Sequence, residues 1–127
     1  MPIKKVLTRA YHSVTRAVIS RGRSPQWRSI SSAYERENPK CAACGATTKL
    51  QVHHVMLFHL DPALELDVSN FVTLCMEGDN DCHLRIGHGG NFRAYNPKLR
   101  EHLAILAEDK TKRDQVILEA TTLRRYE

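Results

Sequence analysis

The chain has 127 residues and a mass of 14.5 kDa, with 42% hydrophobic and 6% aromatic residues, which bounds it to one domain with a modest core and at most an appended arm. No apolar stretch approaches the ~20 residues of a membrane span and no secretory signal precedes the first basic residues, so a soluble protein of the cytoplasm is expected. The net charge of +5 is uneven: residues 1–40 carry nine Lys or Arg against two acids, residues 41–88 two against six, and the tail adds +2. A basic arm beside a less basic centre suits a polyanion, with a solvated helix face as the plainer use of the same charges.

Ile3, Val6, Leu7, Ala10, Val14, Ala17 and Val18 recur at helical spacing with Lys4, Lys5, Arg9 and Arg16 between them, which predicts an amphipathic helix. Arg21-Gly22-Arg23-Ser24-Pro25 interrupts it. Ser24 can cap a second helix and Pro25 fits its first turn; this helix would bury Trp27, Ile30 and Tyr34 and end near Asn38-Pro39. Residues 49–56 read as a strand and 71–74 as its partner, with Asp61-Pro62 and residues 67–70 as turn signals between them. Residues 79–86 can form a short helix that Gly87 stops, and Asn96-Pro97 starts another that runs to about Glu108. The last stretch is helix-prone but its apolar face loses register at residues 110–112, which leaves a projecting arm or a partner contact open. His12 and His102 fall on these helices and are expected at the surface.

All four cysteines, Cys41, Cys44, Cys75 and Cys82, lie in the middle third. A Cys-x2-Cys pair and a Cys-x6-Cys pair can bring four thiolates to one tetrahedral zinc. Two disulfides are the rival use, and a Cys41-Ala42-Ala43-Cys44-Gly45 knuckle in a cytoplasmic chain argues against them. A modest core also makes a structural metal useful, because binding to the folded state adds to folding free energy.

Five of the seven histidines share this third. His53 and His54 are neighbours on the expected strand, so their side chains leave opposite faces and cannot do the same job. One can bind a metal while the other takes a proton from water. A metal held by His53, His83 and His88 keeps positions open for a phosphate oxygen and a water, and an imidazole such as His54, with an ordinary pKa of ~6.5, suits a base at physiological pH. Asn70 can hydrogen-bond backbone across the loop and hold the strand pair that aims His54.

These residues resemble the HNH endonuclease family, in particular the small HNH proteins of phages and prophages. The likeness runs from about residue 24 to 97. It rests on Ser24-Pro25 with Trp27, the cysteine knuckle, Leu50-Gln51-Val52-His53-His54-Val55, Phe58-His59, Leu64-Glu65-Leu66-Asp67, Asn70 to Cys75, and Cys82-His83, with Gly87-His88, Asn91-Phe92-Arg93 and Tyr95-Asn96-Pro97 also familiar. The resemblance implies an α+β fold with a ββα-metal (HNH) core at 39–97 and a four-cysteine zinc site. A basic helical arm at 1–38 and a C-terminal helix or helices at 98–127 would flank that core. It implies His53 and His83 as ligands of the catalytic ion, His54 as general base, Asn70 as the middle residue of the motif, and cleavage of DNA to 5′-phosphate and 3′-hydroxyl ends. Work beside a phage terminase or other packaging protein, in the host cytoplasm, would follow from the same likeness. The structural ion would be Zn²⁺; the catalytic ion could be Mg²⁺, Mn²⁺, Ni²⁺ or Zn²⁺, since imidazole ligands suit the transition metals at least as well as magnesium.

Two departures from the family pattern bear on the sites. Glu77, Asp79 and Asp81 widen the spacing between Cys75 and Cys82. The position four residues after His83 is Gly87, and His88 follows it; on an ideal helix His88 would point about 140° away from His83 (five residues at roughly 100° each), so it joins the ion only if the helix loosens. His59 could approach from the loop, with a backbone-bonded loop histidine as the plainer reading. Arg21, Arg23, Arg28, Arg85 and Arg93 are the candidate DNA contacts. The rival functions are a non-catalytic zinc-stabilised DNA-binding module and an interaction protein whose basic helix docks on a protein partner.

Overall fold

Two five-residue runs rich in β-branched and bulky apolar side chains pair as a hairpin. In the computed structural model, which describes residues 24–57, 61–76, 78 and 80–126, β1 (Leu50–His54) lies antiparallel to β2 (Phe71–Cys75), in register from Leu50 opposite Cys75 to His54 opposite Phe71. Every residue of β2 is buried, because helices and turns cover both of its faces. The helix expected within residues 3–18, together with His12, Arg21, Arg23, Phe58, His59, Glu77 and Asp79, lies outside the described residues.

Helix α1 (Trp27–Glu37) packs on one side of the hairpin. Gln26, not Ser24, occupies its cap position. Ser24 instead builds the turn before it: its Oγ accepts from the Gln26 amide (3.1 Å) and its carbonyl from that of Trp27 (3.1 Å). The Trp27 ring stacks on His54 at 4.5 Å, and the Tyr34 hydroxyl donates to the Phe71 carbonyl at 3.2 Å. The Asn38 amide groups then close on the Tyr34 carbonyl and end the helix.

The cysteine knuckle follows. The Cys41 amide donates to Ala46 O and the Gly45 amide to Cys41 O, a tight return that holds Gly45 at φ +82, a conformation costly for any residue with a Cβ. The Ala42 amide donates to the Thr73 carbonyl, which ties the knuckle to β2.

After β2 the chain departs from expectation. The short helix expected over 79–86 and stopped by Gly87 is not what the described part, residues 80–88, shows: His83–Gly87 is a single π-helical turn with Gly87 inside it. Its defining bond runs from the His88 amide to the His83 carbonyl, 3.0 Å across five residues. Asp81 starts the turn, its carboxylate accepting from the Leu84 amide (3.0 Å). At the far end the Gly90 amide returns to Leu84 O (2.8 Å) with Gly89 left-handed at φ +62. A Cβ on Gly89 would lie 2.5 Å from the Ala120 carbonyl, so only glycine allows the approach.

Asn96 accepts from the Lys98 amide through Oδ1 (2.9 Å) and leads into α2 (Leu99–Glu108), whose Leu99, Leu103 and Leu106 enter the core. Lys110–Lys112 is one turn of 3-10 helix, which accounts for the lost register there. Helix α3 (Arg113–Leu123) does not project. It buries Val116 and Ala120 and lies against the π-turn, and its exit pairs β4 (Arg125–Tyr126) with β3 (Ala94–Tyr95). His102 is also not at the surface: it is 2% exposed. The result is a mixed α+β fold with two small two-stranded sheets, whose core gathers the cysteines with Leu74, Ile86, Leu99, Leu106 and Val116. Among the described residues no helix is long and apolar enough to cross a membrane.

Candidate metal centres

Three pieces of chain bring the cysteines together: the knuckle carries Cys41 and Cys44, the end of β2 carries Cys75, and the start of the π-turn carries Cys82. All four are free thiols with their sulfurs within 4.8 Å of one another. Cys44 Sγ and Cys75 Sγ are 3.6 Å apart, close to the ~3.8 Å that a tetrahedron with ~2.3 Å metal–sulfur bonds requires and far beyond a disulfide. A hydrogen bond from Cys82 holds the Cys41 thiol well below its usual value, at about 4, with help from neighbouring backbone amides. The same contact pushes Cys82 up. The cluster therefore already favours a thiolate, and the guanidinium of Arg113 donates to Cys82 Sγ at 3.0 Å and to the Asn80 carbonyl, offsetting that charge. Four soft sulfur donors in this arrangement fit a structural zinc.

The second cluster lies on the other side of the Cys82–His83 peptide bond. His53 from β1, His83 from the π-turn and His88 just past it meet with ring centroids 4.8–4.9 Å apart and ligand nitrogens within 4.8 Å of one another. The wide turn makes this possible: His88 lies beside His83 because their backbones bond across five residues, where an ordinary helix would turn it away. His88 Nδ1–H donates to the Ala94 carbonyl at 2.7 Å, which assigns the lone pair to Nε2. His53 Nε2 and His83 Nδ1 are buried with no hydrogen-bond partner. Two such orphans, each costing ~1–3 kcal/mol when left unpaired, are what a cation at their common focus would satisfy. Three imidazoles facing one point suit a divalent ion; the Phe92 ring packs 5.1–5.7 Å from His88 and His83 and is 55% exposed.

Gly87 is essential to this arrangement for a reason its sequence position conceals. A Cβ there would meet Leu74 Cδ1 at 3.0 Å and His53 Cε1 and Nε2 at 3.2 Å. Gly87→Ala is therefore expected to displace the His53 ring and weaken Ni²⁺ binding about 10–100-fold, with zinc content at the cysteines unchanged. Calorimetric titration and metal analysis of the same preparation check both halves.

Burial holds His83 down to about 4 and His53 well below 6.5, the charges of neighbouring histidines adding to the effect at each. In unfolded chain both rings protonate near 6.5, so below that pH the unfolded state gains protons that the folded state does not. Stability should accordingly fall with pH from about 6.5 toward 4, at up to about 1.4 kcal/mol per pH unit for each imidazole. Urea denaturation at pH 7, 6 and 5, with zinc retained and no second metal added, should give a shallower slope for His83→Ala than for wild type; equal slopes would refute it.

His54 occupies the opposite face of β1. Its Nε2 lies 2.9 Å from the Glu65 carbonyl; a carbonyl accepts, so Nε2 carries the proton and Nδ1 the lone pair. Glu65 is fully buried, and its carboxylate accepts from the Ser24 amide at 3.1 and 3.2 Å, locking the loop behind His54 to the entry of α1. Asn70 uses both ends of its amide on Met56, Oδ1 accepting from the Met56 N–H (2.8 Å) and Nδ2 donating to its carbonyl (2.9 Å). It holds the chain two residues beyond His54. Arg28, Arg85 and Arg93 are exposed. Sequence reasoning gave no supporting role to Glu65 behind His54, to Asn96 and His102 beside the π-turn, or to Arg113 at Cys82; for His102 the signal was present, since it falls in the same helical stripe as Leu99, Leu103 and Leu106.

No family model matches the chain, and no curated protein or solved structure matches it either.

Proposed function

We propose that the chain is a metal-dependent DNA endonuclease of the HNH kind, in which β1, β2 and the π-turn act as the ββα-metal unit. What carries this reading is the division of labour between two adjacent histidines. His53 turns an unpartnered nitrogen toward His83 and His88, while His54 has its tautomer set by a backbone carbonyl on the opposite face. The four-cysteine cluster supplies a scaffold on its own, so the histidine trio is left for another use.

A divalent ion held by His53, His83 and His88 would supply the positive charge that stabilises the scissile phosphate and the leaving 3′ oxygen. The protein does the rest. His54 accepts the proton of the attacking water at Nδ1, its ring held by Trp27 and Phe71 and its Nε2–H by Glu65 O. Asn70 keeps the exit of β1 in place through Met56. Arg28, Arg85 and Arg93 contact the DNA backbone, with Arg21 and Arg23 extending that grip from the basic arm. The products carry 5′-phosphate and 3′-hydroxyl ends, and the zinc fixes Cys82 and with it His83. Work on phage DNA beside a terminase or other packaging protein is the analogy this reading carries with it.

The test is cleavage of supercoiled plasmid with added Mg²⁺, Mn²⁺ or Ni²⁺, comparing wild type with His54→Ala. Cutting by wild type alone supports the reading. Equal cutting by both means a contaminant and removes it. No cutting with any metal, together with DNA affinity that falls steeply with salt and ignores His54→Ala, leaves a zinc-stabilised DNA-binding module in its place.

A further inference from the structure

A polar chain, buried at Asn96 and His102 and half-exposed at Glu119, runs from α3 to the π-turn. The Glu119 carboxylate accepts from His102 Nε2–H at 3.1 Å. His102 Nδ1 then accepts one hydrogen of the Asn96 amide at 2.8 Å, and the other goes to the Ile86 carbonyl at 3.0 Å. The Asn96 backbone amide meets the Gly87 carbonyl at 3.1 Å. Asn96 is 1% exposed and His102 2%.

The carbonyls served by Asn96 are among those the end of the turn leaves without a helical partner. In a continuing helix Ile86 O and Gly87 O would accept from amides four residues on, those of Gly90 and Asn91. Here Gly90 N–H goes to Leu84 O and Asn91 N–H to His88 O, so a single residue from another part of the chain supplies both replacements. Asn96 is held one way round: its Oδ1 accepts from the Lys98 amide, and its Nδ2 donates to the Ile86 carbonyl and to His102 Nδ1, whose ring is anchored in turn on Glu119. Two residues earlier the same strand supplies Ala94 O to His88 Nδ1–H. The strand thus grips the turn and the imidazole together.

We propose that Asn96, His102 and Glu119 are positioning residues for His88: they hold the turn wide so that its imidazole meets those of His53 and His83. The proposal rests on the reading of that trio as a metal site. It gives helices α2 and α3 a purpose, as the support from which the third ligand is aimed. Relaxation of the turn to ordinary helical spacing would swing His88 away and leave two ligands.

The experiment is calorimetric titration of the full chain, zinc-loaded at the cysteines, with Ni²⁺, using Asn96→Ala, Glu119→Ala and Glu119→Gln, each alone and combined with His88→Ala. Asn96→Ala is expected to weaken binding about 10–100-fold and Glu119→Ala about tenfold. Glu119→Gln, whose amide oxygen still accepts from His102, should restore near wild-type affinity. In the His88→Ala background none of them should cost anything further, because they act through that ring. Glu119 is half-exposed, so its variants report even if Asn96→Ala does not fold. Wild-type affinity in Glu119→Ala, or an undiminished loss once His88 is gone, overturns the proposal. Wild-type protein that binds no Ni²⁺, or binds it equally well as His53→Ala, instead overturns the metal reading of the trio itself.

Discussion

Removing the ion from Cys41, Cys44, Cys75 and Cys82 is expected to abolish cooperative folding and, with it, metal binding by the histidines. The four sulfurs join separate pieces of chain. The knuckle, β2 and the π-turn have no continuous sheet or long helix linking them, and the cysteine side chains themselves form part of the hydrophobic core beside Leu74, Ile86 and Leu99. Without an ion the four sulfurs, within 4.8 Å of one another, have no common partner to hold these three pieces together. Structural zinc contributes about 10–16 kcal/mol in small metal-folded peptides, and a domain of ordinary stability has only about 5–15 kcal/mol in total. The loss is therefore as large as the whole. Because Cys82 and His83 are consecutive, the histidine cluster cannot outlast the cysteine cluster. Thermal melts of wild type with and without a strong chelator, and of Cys75→Ser, should show a cooperative transition only for the zinc-loaded wild type. Ni²⁺ titration should fail wherever the melt does. An unchanged melt at near-zero zinc content would sink the idea.

The cysteine cluster was legible because its signal is chemical: four sulfurs in two pairs have few uses in a chain without disulfides. The opposed directions of His53 and His54 were legible because strand geometry allows nothing else. The π-turn was not. Hydrophobic periodicity is read against 3.6 residues per turn, and an extra residue in one turn shifts no apolar position that the short segment 82–88 could reveal. The consequence was that His88 looked misplaced and Gly87 looked like a stop, when Gly87 in fact clears space for the His53 ring. Helix α3 was obscure for a different reason. Only Val116 and Ala120 are buried while Leu118 and Leu123 are exposed, so its apolar residues do not mark its inner face. Glu65 entered only as part of the Leu64-Glu65-Leu66-Asp67 likeness and its burial was not legible, since a buried carboxylate in a loop is defined by partners elsewhere in the sequence, Ser24 and His54. A hydrogen-bond donor 41 residues distant leaves no local pattern.

On the proposed nuclease reading, His54→Ala is expected to slow metal-supported DNA cleavage about 10²–10⁴-fold, the range over which a positioned general base contributes, while leaving Ni²⁺ affinity at the histidine trio unchanged. The two outcomes separate because the strand separates them. His53 faces His83 and His88, and His54 faces Trp27 and the Glu65 carbonyl, so deleting the His54 ring removes no ligand. The deletion does leave space beside Trp27 and Phe71, with a cavity cost of the order of 1–3 kcal/mol, and a looser fold would also slow cleavage. His54→Phe meets that objection: it keeps an aromatic ring in the stack but has no nitrogen to take a proton. If His54 acts as the base, both variants lose cleavage alike although their melting temperatures differ. Rates that follow stability instead, with His54→Phe cutting as wild type does, would make His54 a packing residue and leave the water without its base.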